Sequence, residues 1–296
     1  MLAEESSIEK EQTISRLKDI ATLTKLRLSF LVVISAVACF FFAGGTLSID
    51  LVYLIFGGFL ITGASNGFNQ IIERDLDKLM PRTMNRPLAQ GRMSVIEAII
   101  FSSAFGIAGA VLLFQLNFFS GILGILAMVL YAAIYTPMKR ISPWAVFVGA
   151  FPGAIPPMIG VVAVTGKFDL LAGTMFLVQF FWQFPHFWAI AWVMDEDYEK
   201  GGFSLLPMKS RKSKQSAFLI ILYTLFMVPV GVLPWAFGFC GEWTLYLGTI
   251  AGLWFFMVAY RFYLRLDDKL ARNLMFASFI YLPFMQFLYV FDKLPF

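Results

Sequence analysis

Charge is what this sequence has least of. Of its 296 residues, 14% are Asp, Glu, Lys or Arg, against 59% hydrophobic and 17% aromatic. Soluble domains carry about a quarter charged residues, so a water-soluble globule is excluded and a polytopic membrane protein is expected. Histidine occurs once, as His186, which excludes a multi-histidine metal centre. The two cysteines, Cys39 and Cys240, lie in apolar runs without metal-ligand spacing and read as small buried hydrophobes. No Walker-type glycine loop is present, so a P-loop nucleotide site is unsupported. The net charge of +4 comes from basic residues dispersed over several loops. That pattern suits a lipid bilayer surface and gives no case for nucleic acid.

The N-terminal stretch carries Glu4, Glu5, Glu9 and Glu11. Signal peptides open basic, and mitochondrial transit peptides avoid acids. Residues 1–25 are therefore expected to be a cytoplasmic amphipathic lead-in, with residues 26–296 forming one transmembrane domain. A bilayer crossing needs about 20 apolar residues. Nine stretches qualify: 26–44, 49–71, 95–115, 118–137, 143–164, 170–193, 217–238, 243–263 and 273–291. With the N-terminus inside, only Lys167 and Lys293 of the 23 lysines and arginines fall on the outer side. The positive-inside rule thus predicts a cytoplasmic N-terminus, an external C-terminus and acidic loops facing the cytoplasm. A bacterial plasma (inner) membrane is the expected location. The expected fold class is all-α, with nine transmembrane helices around a central cavity.

Residues 66–88, NGFNQIIERDLDKLMPRTMNRPL, concentrate the polar chemistry. Asn69, Glu73 and Asp77 are spaced i, i+4, i+8, within roughly an 80° arc of a helix that Asn66 shares. Arg82 and Arg86 follow. Carboxylates beside guanidinium groups suit a Mg²⁺–diphosphate, in which the hard cation takes carboxylate and phosphate oxygens together and the arginines fork the remaining oxygens. The other reading is a solvated interface loop. A second acidic loop, DEDYEK at 195–200, follows span six. Spans 2–5 and 6–9 read as a diverged parallel repeat that sets the two loops face to face. Span five carries Gly149 and Gly153 on a small-residue face, with Pro152, Pro156 and Pro157 interrupting its backbone. It is either an ordinary proline kink or a helix bent around a bulky ligand. The basic run Lys209, Arg211, Lys212 and Lys214 reads as an orientation signal. Gln179, Gln183 and His186 form one helical stripe at i, i+4, i+7. His186 lies about 13 Å deeper than Asp195 along the same helix. An ionisable residue within a span is a functional candidate. A histidine hydrogen-bonded between helices is the alternative.

These residues carry a resemblance. Asn69, Glu73 and Asp77 resemble the NxxxDxxxD motif of the UbiA superfamily of intramembrane prenyltransferases, with Glu in place of the first Asp. RTMNRPL at 82–88 is similar to that family's RTxxRPL continuation. Asp75, YTPMKR at 135–140, PGAIPPMIG at 152–160, QFPHFW at 183–188 and DEDY at 195–198 resemble its haem-farnesylating branch. The resemblance implies transfer of farnesyl from farnesyl diphosphate to a vinyl group of haem B, with addition of water. It implies Mg²⁺ held by Asn69, Glu73, Asp77 and the second-loop Asp195 and Asp197. It implies a diphosphate clamp of Arg82, Arg86, Lys139 and Arg140. Tyr135, four residues before Lys139, is expected to touch diphosphate or the allylic cation. His186 and Gln183 are expected in the haem pocket. Haem-modifying or terminal-oxidase assembly proteins are the implied partners. Two other readings stay open: a relative acting on an aromatic or quinone precursor, and a secondary transporter. Transporters place ionisable groups near the midplane, whereas these acids sit at span ends.

Overall fold

A computed structural model describes residues 15–295. The acidic residues Glu4 to Glu11 of the expected lead-in lie outside the described residues. The described chain is helical, with one isolated β-bridge between Cys240 and Lys293. The order is α1 (Ser15–Leu23), α2 (Leu26–Phe42), α3 (Ile49–Asp77), α4 (Val95–Leu116), α5 (Phe118–Val129) and α6 (Thr136–Met138). Then come α7 (Ala145–Thr165), α8 (Leu170–Val193), α9 (Asp195–Lys200), α10 (Lys214–Gly231), α11 (Leu233–Ala236), α12 (Glu242–Arg265) and α13 (Asp268–Phe291).

Seven helical stretches among the described residues are long and apolar enough to cross a membrane, and α1 with α2, bent by 49°, form an eighth. The remaining long helix, α8, has 24 residues. Its apolar run is interrupted by Gln179, Gln183, Pro185 and His186, all of them buried inside the bundle rather than facing lipid. Seven or eight of the nine expected spans among the described residues thus meet the length and apolarity of a crossing, the ninth being the more polar α8, and the protein is a multi-pass membrane protein. Helix α3 packs on α4, α7 on α2 and α8, and α10 on α12. Small residues allow the closest approaches. At Gly160 of α7, a Cβ would collide with the carbonyl oxygen of Ala36 in α2. Cys39 and Cys240 are free and buried, as small hydrophobes.

Local chemistry sets the helix ends that matter for the site. Helix α4 starts at a capping box: Glu97 N donates to Ser94 Oγ (3.1 Å) and Ser94 N donates to Glu97 Oε2 (2.8 Å). Between α5 and α6 the chain widens into a π-helical turn, Leu130–Tyr135. Pro137 lacks the N–H that Ala133's carbonyl would take in an α-helix, a recognised cause of such bulges. Helix α3 runs beyond the expected end of its span to Asp77. The Asn69-Glu73-Asp77 series therefore sits on a continuous helix at one end of the bundle. Three loops meet there: 78–94 after α3, 139–144 after α6, and the segment around α9. Ser204 N donates to Lys139 O (3.1 Å), and Gly201 packs on Met80.

Candidate functional site

The face expected on α3 is present and turned inward. Asn66, Asn69, Glu73 and Asp77 are 2%, 1%, 4% and 1% exposed. Such burial of two carboxylates requires partners, and each has a cation. Arg86 Nη1 donates to both carboxylate oxygens of Asp77 at 2.7 Å. Lys139 pairs with Glu73. Burial pulls the pKa of Lys139 below the ordinary lysine value, while the neighbouring Glu73 pulls it back up. Thr83 Oγ1 donates to the Asp77 carbonyl (3.0 Å), folding the arginine-bearing loop back over the helix end. Asp75 points the other way, exposed and paired with Lys78 (3.0 Å).

A polar cavity of about 490 Å³ lies over this face, lined by Asn69, Glu73, Asp77, Arg82, Arg86 and Lys139 together with Lys25, Tyr131, Tyr135 and Tyr198. An apolar cavity of about 1010 Å³ continues into the bundle between α2, α3, α5 and α7. Tyr131 and Tyr135 line both, so the two rings stand at the junction. Their centroids are 5.3 Å apart, and the Lys139 ammonium lies 5.1 Å from the Tyr135 ring. A chamber that is cationic at one end and greasy at the other suits an amphiphile with an anionic head and a hydrocarbon tail.

Lys25 belongs to this cavity and was not among the residues expected there. Its Nζ donates to Asn69 Oδ1 at 3.0 Å. It sits at the break between α1 and α2 with a left-handed backbone, φ 48°, a costly conformation for a lysine. Gln70 Nε2 holds the break by donating to the carbonyls of Thr22 and Leu23, both at 2.8 Å. In the sequence Lys25 is one more orientation charge before a span. Its only distinguishing signal is the amide pair Asn69-Gln70 opposite, which spacing alone does not connect to it.

The second acidic loop divides. Asp197 faces the first loop, with its Oδ2 3.6 Å from Arg82 Nε. Neither acid lines the cavity, and Asp195 is tied instead to Arg211, which donates to its carboxylate at 2.9–3.2 Å. Arg211 therefore has a partner beyond its expected orientation role. Arg140 is exposed and does not line the cavity. The Arg82 guanidinium lies 5.7 Å from the Tyr198 ring.

His186 is buried between α8 and α13 and does not line the apolar cavity. Its ring stacks on Trp182, with centroids 4.4 Å apart, and its Nδ1 is 2.7 Å from Ser278 Oγ. Ser278 Oγ donates its own proton to the Met275 carbonyl (2.6 Å). The serine therefore accepts, and Nδ1 carries the imidazole proton. That tautomer leaves Nε2 with a lone pair, the arrangement of a ligating histidine with an oriented second nitrogen. Gln183, one turn away, does line the cavity.

The donor set fits a hard divalent cation that arrives with its substrate. Asp197 Oδ2 is a buried oxygen that receives no hydrogen bond and faces Arg82 only across a 3.6 Å ion pair, and Glu73 Oε1 is met only by the Lys139 ammonium. No three or more acidic, histidine or cysteine residues cluster closely enough to cage a metal among the described residues. Mg²⁺ ordinarily takes one or two carboxylates plus phosphate oxygens rather than an all-protein cage.

The sequence pattern of the UbiA prenyltransferase family matches residues 31–282. A protoheme IX farnesyltransferase of Cytophaga hutchinsonii is 47% identical, covering 92% of this chain and 96% of its own length. One from Christiangramia forsetii is 45% identical over 94% of both chains. Among solved structures, one described for digeranylgeranylglyceryl phosphate synthase aligns with a TM-score of 0.79 at 19% identity, covering 94% of this chain and 98% of that one. A UbiA homologue from Archaeoglobus fulgidus bound to GPP and Mg²⁺ aligns at 0.71 with 14% identity, covering 92% and 99%. The likeness to these two establishes the fold.

Proposed function

The chain belongs to the UbiA prenyltransferase family, and on that premise we propose that it transfers a farnesyl group from farnesyl diphosphate to a vinyl group of haem B. Water is added in the same reaction, giving haem O and diphosphate. The observation that carries this reading is the two-part chamber: a cation-rich cavity on the α3 carboxylate face opens past Tyr131 and Tyr135 into an apolar one. The relatives named protoheme IX farnesyltransferase supply the acceptor.

Each residue then has a role. Arg82, Arg86, Lys139 and Lys25 bind the diphosphate, and Arg82, Arg86 and Lys139 take up the charge that develops on it as the allylic C–O bond breaks. Asn69, Glu73, Asp77 and Asp197 would hold Mg²⁺, which supplies Lewis-acid neutralisation of the leaving group when bound. Asp195, tied to Arg211, supports the second loop. The tyrosine rings at the junction stabilise the allylic cation in a place that excludes bulk water. Gln183 belongs to the haem side of the chamber, and His186, turned to Ser278 behind that wall, supports it from outside the cavity. We further propose one prenyltransferase domain over residues 26–296 in a bacterial inner membrane. The chamber's polar mouth and the N-terminus then face the cytoplasm, the C-terminus faces outward, and haem-modifying or oxidase-assembly proteins are the partners.

The test uses membranes containing the protein, incubated with haem B, farnesyl diphosphate and Mg²⁺, with extracted haems weighed by mass spectrometry. A product heavier by farnesyl plus water, and lost with EDTA, is expected. Prenylation of a quinone precursor with haem B untouched would transfer the reading to that acceptor class.

A further inference from the structure

The geometry points to Gln183 as the residue that positions the water consumed in haem farnesylation, an inference that rests on the function proposed above. Gln183 is 2% exposed and forms part of the wall of the apolar cavity. Its Nε2 donates to the carbonyls of Ala150 (2.9 Å) and Gln179 (3.3 Å), which uses both amide hydrogens. Its Oε1 receives no hydrogen bond from any described residue and is not sealed in protein. It lies against Gly153, where a Cβ would collide with it.

Gly153 brings a second acceptor. Residues 156 and 157 are both proline, so the Gly153 carbonyl has neither the N–H three residues on nor the one four residues on. The side-chain oxygen of Gln183 and the backbone oxygen of Gly153, neither with a helical donor, thus belong to two touching residues of the cavity wall, on the side opposite the polar residues Thr62, Ser65 and Asn66 of α3. Acceptors alone call for a ligand that brings hydrogens. A farnesyl chain has no N–H or O–H to give. Water has two hydrogens, and holding both leaves its lone pairs turned into the cavity.

The position along the chamber is right for the reaction. Gly149, one turn before Gly153 on the same face of α7, is the glycine on which the Tyr135 ring packs, where a Cβ would lie 2.6 Å from Cδ2. The Gln183 amide is therefore about 6 Å deeper than the ring at the junction. In the reaction, the C–O bond of farnesyl diphosphate breaks and diphosphate leaves with its electron pair. The farnesyl carbon bonds to the terminal vinyl carbon of haem B, and positive charge passes to the other vinyl carbon. The held water donates a lone pair to that carbon, forming the C–O bond, and its excess proton goes to the released diphosphate. Without a placed water the same cation sheds a proton from a neighbouring carbon, and the product is an alkene lighter by one water.

The test is the ratio of hydrated to dehydrated farnesyl-haem made by full-length protein in membranes with haem B, farnesyl diphosphate and Mg²⁺. Wild type yields the hydrated product. Gln183→Leu is expected to lower the ratio at least about tenfold, the loss of about 1.4 kcal/mol of preference. Gly153→Ala keeps the amide but displaces it, and lowers the ratio as well. Gln183→Glu retains the acceptor and the hydrated product. An unchanged ratio in Gln183→Leu overturns the inference at any rate of turnover. If Gln183→Leu makes nothing, Gly153→Ala decides in the same way. Loss of all product from both variants in folded protein also counts against it, because placing a water is separate from transferring the chain. Absence of any haem product from wild type sinks the underlying function instead.

Discussion

Asp77 is the side chain on which the polar end of the chamber depends most. It is 1% exposed and holds Arg86 through two 2.7 Å hydrogen bonds. Asp77→Ala leaves a half-buried guanidinium unpaired and removes a metal ligand, and is expected to lower kcat by about 10²-fold or more, measured as haem product per mole of folded enzyme. Lys25 predicts a different signature. It reaches the cavity from outside the α3 motif and adds ground-state attraction to the diphosphate. Lys25→Met should therefore raise the KM for farnesyl diphosphate about tenfold with a smaller change in kcat. An unchanged KM would remove Lys25 from the site. The sequence disclosed Asn69, Glu73 and Asp77 because one helix carries all three in register. It did not disclose Lys25, whose place depends on a chain break braced by Gln70. Nor could it separate Asp195 from Asp197, since two aspartates in the first turn of one short helix look alike until Arg211 is seen to hold one of them.

At the scale of elements, the closest helix contacts are made where side chains are missing. Gly160 of α7 approaches the α2 backbone, so Gly160→Leu should overpack the interface and cost about 1–3 kcal/mol, seen as a lowered Tm in detergent. Gly173 of α8 has no heavy atom waiting within 4 Å, and Gly173→Ala should leave Tm unchanged. A large loss at Gly173 and none at Gly160 would contradict this packing. Helix identity was legible throughout, since apolar runs of bilayer length leave few alternatives. The π-helical turn was not, although Pro137 was in view. A proline says that the ladder must change and leaves open how. The stripe Gln179, Gln183 and His186 was also legible as a stripe. Only packing separates Gln183, in the cavity wall, from His186, turned to Ser278 on α13.

For the molecule as a whole, the distribution of lysine and arginine and the clustering of three loops at one end make one prediction about direction. A cysteine introduced at exposed Lys167 should react with a membrane-impermeant maleimide on intact cells, and one introduced at exposed Lys78 should react only after lysis. The native thiols, Cys39 and Cys240, are buried and give a low background. The reverse labelling pattern would turn the polar mouth outward. The central claim is that the polar and apolar cavities form one continuous donor site. Its most direct measurement is a structure of the protein with a non-cleavable farnesyl diphosphate analogue and Mg²⁺. The account predicts the diphosphate among Lys25, Arg82, Arg86 and Lys139, with the chain passing Tyr131 and Tyr135 into the space between α3 and α7. A chain lying outside that space, or a diphosphate away from the α3 face, would contradict it.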